Sequence, residues 1–149
     1  MSDCDVHILH LRRGHEQLAR RAVELLKLGE KLPNPHFLSE LLSQPENLLL
    51  VAVEADEPVG FLIGYALPRI DRPQPMMLLY EIGVAESHQQ RGIGRRLVEG
   101  FLEWCRKENA AMAWVMTTAG NAAARQLYES AGARASDLGD VLLYDWPKL

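Results

Sequence analysis

With 149 residues, 48% hydrophobic and 24% charged, the chain suits one globular domain over residues 1–149; its net charge of −4 argues against a nucleic-acid partner, which wants a basic surface. Cys4 and Cys105 form no CxxC pair, so neither a disulfide framework nor a zinc site is expected. The longest apolar runs, LLLVAV and FLIGYAL, are strand-sized, and MSDCDVHILH lacks a signal-peptide layout, so the expectation is a cytoplasmic protein with no membrane partner.

In chain order, DVHILHL (Asp5 to Leu11) alternates weakly and predicts a first strand. GHEQLARRAVELLKLGE then sets Leu18, Ala22, Leu25 and Leu26 at helical spacing, with Gly29 as the expected stop. A proline-bounded segment predicts a short helix from Pro35 to Ser43. The apolar runs Leu48–Glu54 and Val59–Leu67 flank ADEP, which suits a hairpin turn between antiparallel strands. PRIDRPQP must be an irregular loop. Met76–Ala85 is a continuous apolar run of the kind a central, doubly covered strand shows. A long helix follows from Gly92 to about Asn109, with Ile93, Leu97, Phe101, Trp104 and Cys105 on one side. AMAWVMTT predicts a buried strand. NAAARQLYESAG predicts a helix capped by Asn121 and ended by Gly132. Val141–Trp146 predicts the last strand. The order β-α-α-β-β-β-α-β-α-β is a mixed α/β arrangement, and Met76 to Thr118 forms a crossover that should be parallel.

The turn ESHQQRGIGRRL (Glu86 to Leu97) joins the central strand to the long helix. A helix start offers unpaired N–H groups and the positive end of its dipole, about half an elementary charge. Gly92 and Gly94 lack a Cβ, so an anion can approach the main chain closely, and Arg91, Arg95 and Arg96 add positive charge. A P-loop would require GK[ST], which is absent. A dinucleotide fingerprint would require glycine or alanine where Leu97 stands.

The spacing that fits is Gln89-x-x-Gly92-x-Gly94 after a strand carrying Ile82 and Val84, followed by Asn121, Leu127, Tyr128, Glu129, Ser130 and Gly132. On these two motifs and the element order, the chain resembles the GCN5-related N-acetyltransferase (GNAT) superfamily. The resemblance implies that family's fold: a mixed, mostly antiparallel sheet with helices on both faces and splayed central parallel strands. It implies acetyl-CoA as co-substrate and no metal. Pantetheine would hydrogen-bond the backbone of Ile82 and Val84. The pyrophosphate would sit on the turn, with Gln89, Gln90, Arg91, Gly92, Ile93, Gly94, Arg95 and Arg96 as its residues and Asn121 beyond it. Gly83 is a natural place for the bulge that splays the strands, and a backbone N–H there could polarise the thioester carbonyl.

Acyl transfer also needs a neutral amine and a proton for the leaving thiolate. Tyr128, whose phenol ordinarily titrates near pH 10, is the family's usual proton donor. Glu81 is the one charge in Met76–Ala85; alternation sets it opposite Tyr80, Ile82 and Val84. It reads as a base or an amine anchor, or else as an ion-pair partner of Arg69 or Arg72. His7, His10, His15, His36 and His88 read as structural or solvated, and Ser87 beside His88 as no triad.

A narrower likeness joins YALPRIDRPQPMMLLYEIGVAESHQQRGIGRRL to the aminoglycoside 3-N-acetyltransferases. It makes Tyr80 and Glu81 an aromatic–acid pair for a cationic sugar, with Asp145 as a further acid; TTAGN lacks the acid those enzymes carry there. The competing readings are acetylation of another small amine or of a peptide or protein amine, and an acyl-CoA-binding module without turnover. Family habit implies a homodimer.

Overall fold

Alternation along one strand sets up both cores. In β2 (Asn47–Glu54), Leu48, Leu50 and Ala52 enter one apolar cluster, while Val51 and Val53 enter another on the opposite face. A computed structural model describes residues 5–136, 144, 145 and 147. Within them, β1 (His7–His10), α1 (Glu16–Leu26) and α2 (Pro35–Ser43) precede β2. After it come β3 (Glu57–Leu67), β4 (Met76–Val84), α3 (Ile93–Lys107), β5 (Met112–Val115) and α4 (Ala122–Ser130). The strands form one sheet in sequence order, antiparallel except for β4–β5, which is parallel as the crossover requires. This is the mixed α/β sheet the sequence predicts.

Helices α1 and α2 cover one face. Ala19 and Ala22 are fully buried there with Leu11, Leu38 and Leu42, while Leu18 and Leu26 pack at the margin. Leu25, expected on this face, is 47% exposed. On the other face, α3 buries Ile93, Leu97, Val98, Phe101, Trp104 and Cys105 against Leu50, Leu62, Met77 and Leu79. Each fully buried side chain of this size contributes about 1.5–3 kcal/mol of transfer free energy.

Several boundaries differ from the sequence expectation for local reasons. Helix α1 stops at Lys27, not Gly29. Lys27 adopts φ 54°, and the Leu28 N–H turns back to Val23 O at 3.1 Å, with Leu28 packed under the helix. The β2–β3 connection is tighter than ADEP: Ala55 and Asp56 both have positive φ, 49° and 65°, which matches the twist of a two-residue hairpin. Strand β5 has four residues rather than eight, and its Met112 and Ala113 are exposed rather than buried. Strand β4 is doubly covered only in its first half; Tyr80 and Glu81 are exposed. The last predicted strand lies largely outside the described residues. Of it only Tyr144 and Asp145 are described, and both are exposed.

Gly83 plays a part other than the expected bulge. A Cβ there would stand 2.6 Å from Cε1 of Phe61, its partner across β3–β4 and a buried ring. Gly83→Ala should therefore destabilise the fold by about 1–3 kcal/mol through overpacking. A thermal melt checks this, and an unchanged midpoint would show that the ring yields freely.

Candidate active site

The pairing of β4 with β5 runs from Met76↔Met112 to Leu79↔Val115 and stops there, while β4 continues to Val84. The Ala85 N–H donates to Val59 O at 2.8 Å, so Ala85 faces β3. Alternate residues direct their backbone groups to opposite edges, so Val84 and Ile82 face the side from which β5 has departed. Part of that edge is used: Gln89 Nε2 donates to Val84 O at 3.1 Å. Among the described residues β5 does not reach the N–H groups of Ile82 and Val84, and an extended amide chain can pair there like a short strand.

The register shift that accompanies this splay lies at Tyr80, not at Gly83. Leu79 pairs with Gly64 and Glu81 with Ile63, so Tyr80 is the extra residue. The bulge changes the phase of the strand. Before it Met77 and Leu79 face α3; after it Ile82 and Val84 do. Glu81 consequently points away from the α3 core, on the same side as Tyr80 rather than opposite to it. That side also carries Tyr65, whose ring meets the Tyr80 ring edge-on at 5.6 Å between centroids. Burial raises the Tyr65 phenol above its ordinary pKa, with smaller contributions from Tyr80 and Glu81. Sequence reasoning missed Tyr65, because only the bulge brings the two tyrosines and the carboxylate together.

Glu81 makes no ion pair among the described residues. Arg69 and Arg72, its suggested partners, both turn to Asp71, at 2.8 and 3.4 Å. An exposed carboxylate with no structural partner contributes little to stability. Glu81→Gln should leave the melting midpoint unchanged and lower kcat/KM for the acceptor amine by roughly tenfold or more. Unaltered steady-state kinetics would remove the carboxylate from the chemistry.

Beyond β4 the chain makes a single 3-10 turn at Glu86–His88, then reaches the start of α3 through Gln90 at φ 62° and Gly92 at φ 77°. Gly92 is the N-cap, and among the described residues no side chain caps the helix; the first helical bond returns from Arg96 N–H to Gly92 O at 3.1 Å. The N–H groups of Ile93, Gly94 and Arg95 thus precede any intrahelical acceptor. A Cβ on Gly92 would meet nothing within 4 Å, so space lies open before the helix end. One on Gly94 would lie 3.4 Å from Cδ2 of Leu127 and 3.9 Å from Cγ2 of Val84, which sets β4, α3 and α4 in contact at this point. The opening fits an anionic group followed by an extended amide chain.

The arginines of the turn divide their roles. Arg91 pairs with Glu54 at 2.6 Å. Arg95 pairs with Glu99 and donates to Ser130 O at 2.6 Å, clamping α3 to the carboxyl end of α4. Arg96 is exposed and has no ion pair among the described residues. His88 is not solvated: its Nε2 lies 2.7 Å from Glu54 Oε2 and its Nδ1 2.7 Å from Ser87 Oγ. The neighbours Ser87 and His88 do face one another, contrary to expectation. Hydrogen bonds from Arg91 and then His88 hold the Glu54 carboxyl down at about 2. The pairing spans a gap of 34 residues that no sequence spacing reveals.

On α4, Asn121 caps the helix as predicted, its Oδ1 accepting from Ala124 N–H at 3.1 Å. Tyr128 is half-buried against the α3 core, and burial raises its phenol above the ordinary value. A phenol carries its proton at neutral pH, and among the described residues this hydroxyl makes no hydrogen bond. Among those residues no group of three or more His, Cys, Asp or Glu is placed to hold a metal, and no helix is long and apolar enough to cross a membrane.

Comparison with known proteins identifies the class. The acetyltransferase (GNAT) family profile matches residues 16–133. N-alpha-acetyltransferase RimI of Mycobacterium tuberculosis (strain ATCC 25618 / H37Rv) is 33% identical over 119 residues, covering 76% of this chain and 71% of the relative. The chain belongs to the GNAT acetyltransferase family. Its fold matches an aminoglycoside acetyltransferase, meta-AAC0020, from an uncultured soil metagenomic sample, solved with trehalose. The TM-score is 0.81 at 21% identity, over 98% of this chain and 99% of that one. It also matches AAC(6')-Iy in complex with a CoA bisubstrate analogue, with a TM-score of 0.76 at 18% identity over 95% and 98%.

Proposed function

We propose that this acetyltransferase moves the acetyl group of acetyl-CoA to a primary amine of a polycationic small molecule of the aminoglycoside kind, the 3-amino group being the position its sequence likeness implies. The carrying observation is the cluster of Tyr65, Tyr80 and Glu81 on the open side of the bulge. Aromatic faces beside a carboxylate with no ion pair among the described residues favour a cation or its amine. The likeness of fold to meta-AAC0020 supports the same reading.

In this reading the backbone N–H groups of Ile82 and Val84 hold the pantetheine, and the start of α3 holds the pyrophosphate. Glu81, directly or through water, takes the proton that the amine sheds. The amine nitrogen bonds to the thioester carbon, the C–S bond breaks, and Tyr128 supplies the proton that the departing sulfur takes up. One domain carries the whole reaction, with Asp145 as a further acid for a cationic sugar. The 33% identity to RimI favours a second reading, in which the acceptor is a peptide α-amine.

A thiol-release assay over gentamicin-type aminoglycosides, polyamines and alanine-led peptides separates the two. The highest kcat/KM is expected for an aminoglycoside. A higher value for a peptide would overturn that assignment in favour of the second.

A further inference from the structure

The donor turn is held from below by a single acidic side chain. Glu54 ends β2, immediately before the two-residue turn Ala55–Asp56, in a hairpin of the sheet. Its side chain is only 16% exposed. Its Oε2 lies 2.7 Å from His88 Nε2 and its Oε1 2.6 Å from an Arg91 guanidinium nitrogen. These two partners bracket Gln89 and Gln90. Between them Gln90 adopts φ 62°, a conformation costly for a residue with a Cβ, and Gly92 follows at φ 77°. Such a segment persists only where its surroundings fix it. Here one carboxylate ties both flanks, and the Gln89 amide ties the middle to Val84 O.

We propose that Glu54 is a positioning residue for donor binding, which sets the His88–Arg91 segment so that the N–H groups at the start of α3 are already aimed at the pyrophosphate. This rests on the reading that the turn receives acetyl-CoA. A carboxylate near an anion site would by itself oppose binding. Its charge is met by Arg91, so what remains is the geometry it imposes. Preorganisation of that kind is realised only with ligands that reach the turn.

The test compares dissociation constants for acetyl-CoA and for S-acetylpantetheine, which carries the same thioester arm and no pyrophosphate. In the wild-type protein acetyl-CoA should bind far more tightly. Glu54→Gln, which keeps the size and removes the charge that holds Arg91, should weaken acetyl-CoA by about tenfold, the scale of one charge-assisted bond. It should leave S-acetylpantetheine within about twofold, and Glu54→Asp should restore part of the loss. A thermal melt of each variant confirms that folded protein is titrated. If Glu54→Gln weakens both ligands equally, or weakens neither, Glu54 does not position the turn. If the wild-type protein shows no preference for acetyl-CoA, the reading of the turn itself fails and this inference with it.

Discussion

Gly92→Asp should raise the dissociation constant for acetyl-CoA by about a hundredfold or more while leaving the protein folded. The two halves of that statement have separate causes. Aspartate is one of the few residues with a Cβ that tolerate positive φ, so at φ 77° its strain is small enough to leave the protein folded. A Cβ at this position meets nothing within 4 Å, so the substitution adds backbone strain but no clash. The added carboxylate stands at the helix start, where it repels the charge of an incoming pyrophosphate. Gly92→Ala is the matched control: it pays the backbone strain, about 1 kcal/mol of stability, without placing an anion at the helix start. Calorimetry on the three proteins reads the effect, and equal affinities for glycine and aspartate would show that the anion docks elsewhere.

Tyr128→Phe should lower kcat roughly a hundredfold and leave acetyl-CoA affinity within about twofold. The phenol is half-buried, burial raises its pKa above the ordinary value, and it makes no hydrogen bond among the described residues. Removing the oxygen therefore costs little packing, and in the proposed mechanism the loss falls on protonation of the leaving thiolate. A turnover number equal to that of the wild-type protein would assign the proton to another donor. A joint fall in affinity and kcat would make Tyr128 a wall of the donor site.

Much of this is legible in the amino-acid sequence. The period of α3, from Ile93 to Cys105, fixed which side of that helix is buried, and Gln89, Gly92 and Gly94 located its start. Asn121 announced the cap of α4. Three features were not legible, each for a physical reason. The bulge at Tyr80 has no glycine to mark it, and period-2 counting carries straight through it, so Glu81 was set on the wrong side of Tyr80. Lys27 ends α1 in a conformation usually left to glycine, because Leu28 gains burial just beyond. The Ser87–His88–Glu54–Arg91 chain joins two segments more than 30 residues apart, and only the folded hairpin brings them together.

The central claim is that an acetyl group held on this strand end and turn passes to an amine. Incubation with acetyl-CoA labelled in the acetyl carbons, and with the best acceptor of the amine panel, tests it directly. The expected result is a labelled acetamide and free CoA in equal amounts, lost together in Tyr128→Phe. Tight binding of acetyl-CoA with no labelled amide from any amine would contradict it, and would leave an acyl-CoA-binding module in place of an enzyme.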